Sequence, residues 1–136
     1  MAVHATGVVI MAIAMLSIRS RVEARSNLRF HHLLVVVIGV IGVLGLLLAV
    51  LHGIEAAIWA VAFWWLGALN SPADAILYSV DSLSTRGASG LTLKRHWQMM
   101  GALGATDGML LFGISTAFIF TVIQAYWPML SRLSRD

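Results

Sequence analysis

The chain has 136 residues, 60% of them hydrophobic and 11% charged, with a mean hydropathy of +0.89. A water-soluble domain of this length needs far more polar surface, so the composition points to an integral membrane protein. The net charge of +3 is not a nucleic-acid footprint, because four of the nine basic residues fall in one short segment, and the absence of cysteine excludes disulfides and thiolate metal sites.

Met1–Ile18 contains no Asp, Glu, Lys or Arg, and Arg19, Arg21, Arg25 and Arg29 follow it. A cleavable signal peptide carries its basic residues ahead of the apolar core. Here they lie behind it, which predicts a retained span with its N-terminus outside. The next apolar run, His31–Leu69, has 39 residues. As one helix it would be roughly 58 Å long, about twice the hydrocarbon thickness. We therefore expect His31–Leu51 to span, a bend at Gly53, and a tilted segment over His52–Leu69 with Trp59, Trp64 and Trp65 in the interfacial belt. Asn70, Ser71 and Pro72 predict a turn, with Ser71 as N-cap and Pro72 opening a short helix to Leu83. A last apolar run covers Trp97–Trp127, interrupted only by Asp107, and Arg132 and Arg135 follow.

The positive-inside rule leaves two topologies open. Three spans place six basic residues inside (Arg19, Arg21, Arg25, Arg29, Arg132, Arg135) and three outside (Arg86, Lys94, Arg95). Four spans would place seven inside and two outside. The segment between the long runs has to choose.

That segment, Ser79–Gly90, reads SVDSLSTRGASG. Tyr78-Ser79-Val80-Asp81-Ser82-Leu83-Ser84-Thr85 resembles the pore helix and filter entry of the small bacterial two-helix pore-loop channels of the potassium-channel superfamily. Gly108-Met109-Leu110-Leu111-Phe112-Gly113-Ile114-Ser115-Thr116-Ala117 is similar to their inner helix. The resemblance runs from about His52 to Gln124. It implies an all-α integral membrane fold with three transmembrane helices, a re-entrant pore helix and a filter-like loop, assembled as a homotetramer around a permeant inorganic ion. Residues 1–30 would form an N-terminal helix and a cytoplasmic loop. Residues 31–136 would form the pore unit, with an outer helix (31–69), a pore helix and loop (73–96), an inner helix (97–127) and a cytoplasmic tail (128–136). The implied location is the bacterial inner membrane with the C-terminus cytoplasmic, which agrees with three spans.

The filter itself departs from the family. Arg86 stands where a small apolar residue is expected, and Ala88, Ser89 and Gly90 replace Tyr, Gly and Asp. Carbonyl rings that replace an ion's hydration shell are not expected from Ser84, Thr85, Arg86, Gly87, Ala88, Ser89 and Gly90. Arg86 admits two readings. Four copies facing an axis, each about 7 Å from a cation, would repel it by up to roughly 9 kcal/mol at an effective dielectric of 20. Alternatively Arg86 turns away and pairs with Asp81, the acid behind the filter.

The resemblance puts Gly108 at an inner-helix hinge, with Met109, Phe112 and Thr116 toward the cavity. At 100° per residue Asp107 then points into the protein, either as an interhelical hydrogen bond or as a gating carboxyl. His52 and Glu55 share a helix face, and nothing near them completes a metal site. His31, His32 and His96 read as interfacial residues. The glycine series 39, 42, 45 and 101, 104, 108 reads as close helix packing. No nucleotide loop, catalytic triad or cofactor motif is present.

The function expected from this reading is a pore that does not select potassium, weakly selective or anion-permeable. The alternative is a non-conducting, channel-derived subunit of a larger membrane complex. The sequence offers no enzyme chemistry.

Overall fold

The computed structural model describes residues 1–24, 30–87 and 90–133. Arg25, Arg29, Ala88, Ser89 and Arg135, all invoked above, lie outside them. Among the described residues the fold is entirely helical: α1 (Ala2–Glu23), α2 (Phe30–Trp65), α3 (Pro72–Leu83), a short 3₁₀ turn (Arg95–Trp97) and α4 (Gln98–Leu133). Among the described residues three helices, α1, α2 and α4, are long and apolar enough to cross a membrane.

Each long helix buries one narrow stripe and leaves the rest apolar and open, as a helix in lipid does. On α4 the stripe is Gly101, Gly104, Gly108, Leu111, Ser115, Phe118, Val122 and Tyr126, spaced by three or four. On α1 it is His4, Met11 and Met15. Met11 and Met15 join Leu33, Val37, Leu44 and Leu48 of α2 and Phe118, Val122 and Tyr126 of α4 in one cluster. A second cluster, at the α3 end, joins Ala60 and Phe63 of α2 to Ala68, Leu69, Ala75 and Leu93.

Three boundaries differ from those expected. Helix α2 runs unbroken through Gly53 and stops at Trp65 rather than continuing to Leu69. Gly53 has open space around the position of a Cβ, and the i→i−4 bonds on either side carry the helix past it. The real stop is Gly67, at φ +73°. Its N–H bonds Trp64 O and the Ala68 N–H bonds Phe63 O, the paired bonds of a Schellman terminus. Third, α4 continues to Leu133 with Pro128 inside it, so residues 128–133 are helix rather than tail. Pro128 removes one helix bond, while Met129 and Leu130 beyond it pack on the α1–α2–α4 cluster.

Helix α3 starts as the sequence dictates. The Ser71 hydroxyl accepts from the Asp74 N–H at 3.0 Å and Pro72 occupies the first turn. The helix folds back between α2 and α4, bonded to both. Ser79 Oγ donates to Ala56 O at 2.6 Å and Ser82 Oγ donates to Gly101 O at 3.2 Å.

Candidate functional site

Two polar constellations stand out in this apolar molecule. The first is the turn that ends α3. Thr85 N–H bonds Ser82 O, and Arg86 N–H bonds Asp81 O. These are again the two bonds of a Schellman terminus, with residue 85 in the left-handed position that glycine normally fills. Thr85 holds φ +56° there. A β-branched residue in that conformation is strained by about 1–3 kcal/mol. Gly87 and Gly90 follow at φ +68° and +77°, where glycine carries no such cost.

The same turn fixes Arg86. Its backbone bonds the Asp81 carbonyl, and its Nη2 lies 2.6 Å from Asp81 Oδ1. Of the two readings the sequence left open, the described geometry is the pair. The Asp81 side chain is buried and that of Arg86 is 67% exposed, so the charge is neutralised at the protein surface rather than in its core. Ser84 Oγ donates back to Asp81 O at 3.2 Å. Behind the turn lies a cavity of about 440 Å³, bordered by Tyr78, Thr85, Gly87, Gly101 and Met109.

Gly108 sits beneath this turn. A Cβ on it would collide with the backbone of Leu83, so the missing side chain is what lets α3 seat on α4. Gly108 thus has the close-packing role read from the glycine series of α4. Gly101 does the same for the Tyr78 ring. Met109 and Phe112 are exposed, and Phe112 and Thr116 border a second cavity. Asp107 turns inward and accepts an interhelical bond from Trp59 Nε1 at 2.9 Å.

The second constellation was not anticipated. His4, from α1, is fully buried between Glu55 of α2 and Ser115 of α4. Its Nδ1 lies 3.0 Å from Glu55 Oε2 and its Nε2 lies 3.0 Å from Ser115 Oγ. The ionised carboxylate accepts only, so Nδ1 donates to it, and Nε2 shares the second bond with the Ser115 hydroxyl. The Met1 nitrogen is 3.7 Å from both Glu55 Oε1 and Asp107 Oδ1. His52, paired with Glu55 by sequence, goes elsewhere. Its Nδ1 donates to Leu48 O at 2.7 Å, and its ring stands edge-on to His4 at 5.0 Å between centroids. Among the described residues no group of His, Asp or Glu is placed to hold a metal ion.

Carboxylate, imidazole and hydroxyl in series form the connectivity of a nucleophile relay. Acyl transfer also requires donors aimed at a developing oxyanion. Ser115 lies in mid-helix, where neighbouring backbone N–H groups are spent on carbonyls one turn earlier. What the geometry offers instead is a clamp joining three helices at one level. In the sequence His4 is hidden within a run free of Asp, Glu, Lys and Arg, which a neutral histidine does not interrupt. The usable signal was an ionisable residue inside a span, together with a serine on the glycine-rich stripe of α4.

Comparison with family models, with curated proteins and with solved structures finds no match to this chain.

Proposed function

We propose that this chain is a subunit of a multi-copy membrane pore with potassium-channel-like architecture and no preference for potassium. The observation that carries the reading is α3. It is a short helix returned between two spanning helices and ending in a polar turn whose residues 84–87 face outward. Nonhelical backbone at membrane depth is tolerated only where protein or water surrounds it. One chain leaves the turn uncovered, and several copies around an axis would enclose it. Four is the number the resemblance implies. The strained Thr85 and the two left-handed glycines suit a loop shaped for a task other than stability.

Pairing with Asp81 cancels most of the field that four Arg86 side chains would otherwise project on the axis. This favours a weakly selective pore over a strongly anion-selective one. Ions are the only substrate this reading needs, with no cofactor and no catalysis. The pore would sit in a bacterial inner membrane with the α3 end outside. The test is a reversal potential from purified protein in planar bilayers under mixed KCl and NaCl. A value near zero at equal total salt is expected. A value near the potassium equilibrium potential overturns the reading.

The Asp81–Arg86 pair also favours a second reading, a non-conducting subunit that uses the fold for assembly in a larger membrane complex. Bilayers that stay silent with protein shown to be oligomeric would select it.

A further inference from the structure

The three long helices do not match one another in length. Helix α1 has 22 residues, whereas α2 and α4 have 36 each. At about 1.5 Å per residue these are roughly 33 Å and roughly 54 Å long. A hydrocarbon core of about 30 Å takes α1 nearly upright. It does not take the other two, because a tilt of about 40°, the upper end of what spanning helices adopt, still leaves about 41 Å. Polar residues do not shorten the pair either. His52, Glu55 and Asp107, which lie well inside the two helices, are buried or half-buried. Trp65 and Met99, at the far end, are 84% and 72% exposed.

The short helix is fastened to the long pair at the polar clamp. His4 meets Glu55 of α2 and Ser115 of α4, and all three are buried. Farther along, α1 touches the pair through Met11 and Met15 in the apolar cluster. Apolar contact has no preferred direction and methionine adapts its shape, so those contacts can slide when α2 and α4 change tilt. Hydrogen bonds are directional, so the clamp cannot follow in the same way. It also continues into α3. Ala56, the neighbour of Glu55, accepts from Ser79 Oγ at 2.6 Å, and Gly101 accepts from Ser82 Oγ at 3.2 Å. A shift of α2 against α4 at this level therefore reaches the two bonds that seat α3.

We propose that this chain responds to bilayer thickness, with the clamp as the point that transmits the change to α3. A thin bilayer drives α2 and α4 to greater tilt while α1 stays upright, which strains the clamp and loosens α3 from Ala56 and Gly101. A thick bilayer, built from lipids with long acyl chains, lets the pair stand straighter and closes both. The inference rests on the chain spanning a membrane and does not depend on ion conduction. Its consequence for a pore is that the turn after α3 is held open to regulation by the lipid.

The test uses the whole protein in phosphatidylcholine vesicles whose monounsaturated acyl chains have 14, 18 or 22 carbons. Amide hydrogen exchange, mapped by mass spectrometry, reads the protection of residues 72–83. Protection is expected to rise about ten-fold from the shortest lipid to the longest, because mismatch costs accumulate with each ångström. In Ser115→Ala, which opens the clamp on the α4 side, the rise should shrink to less than half. Equal protection in all three lipids, or protection that falls with chain length, overturns the proposal on the unmodified protein alone. A rise of full size in Ser115→Ala overturns the part given to the clamp. Protein that alkaline carbonate extracts from the vesicles overturns the membrane reading and this inference with it, whereas silent planar bilayers count only against the pore.

Discussion

Arg86 and Asp81 are joined twice, through the Arg86 N–H to the Asp81 carbonyl and through the guanidinium to the carboxylate. Only the second link depends on side chains. Removing one partner of a fully buried pair costs about 3–5 kcal/mol. With Arg86 67% exposed, solvent screens the pair, and about 1–2 kcal/mol is the loss expected for Asp81→Asn or Arg86→Gln. The double variant should lose less than the sum of the two. Thermal melts of all three in detergent check this, and strict additivity would show the pair to be energetically silent. Thr85 gives an opposite sign. Thr85→Gly relieves the left-handed strain and should raise stability by about 1 kcal/mol, less what glycine's greater unfolded freedom takes back. A Tm that falls would mean the threonine side chain gains more from contacts than its backbone loses. Gly108→Ala, facing the Leu83 backbone, should be the most destabilising single methyl on α4.

At the scale of helices, the polar clamp separates stability from function most cleanly. His4 is fully buried and touches both Glu55 and Ser115. His4→Ala leaves a buried carboxylate without its imidazole and should cost about 3–5 kcal/mol. Ser115→Ala removes one neutral hydrogen bond and should cost about 1 kcal/mol. Melts of the two variants check the order, and equal losses would show that the carboxylate does not depend on the histidine. The elements themselves were largely legible. The three spans, the Ser71–Pro72 start of α3 and the inward turn of Asp107 follow from runs of apolar residues, from capping chemistry and from helical angle. The end of α2 was missed because Gly67 acts through left-handed backbone at a terminus, while Gly53 merely lies in the helix. The clamp was illegible for a different reason. His4, Glu55 and Ser115 are 51 and 60 residues apart in sequence, and only the packing of three stripes brings them to one level.

For the molecule as a whole, the exposed faces of α2 and α4 are as apolar as their buried stripes, so composition alone cannot separate a lipid-facing surface from a subunit interface. Copy number is the quantity that decides. Native mass spectrometry from detergent should show four chains, and a stable monomer would remove the reason for an enclosed loop. In the same preparation Arg86→Gln should leave Asp81 as the uncompensated charge of the turn. Cation permeability should then rise relative to chloride, read as a shift in reversal potential under a KCl gradient.

The clamp also sets an order of events at the ribosome. His4 is made first, Glu55 follows 51 residues later and Ser115 another 60 residues after that. Until α4 enters the bilayer, the histidine and the carboxylate can meet each other but not their third partner. A nascent chain stalled before residue 115 holds an incomplete polar junction between apolar helices, and the addition of α4 closes it. A product truncated before residue 115 should therefore be degraded faster than the 136-residue chain, a difference that pulse-chase labelling would read.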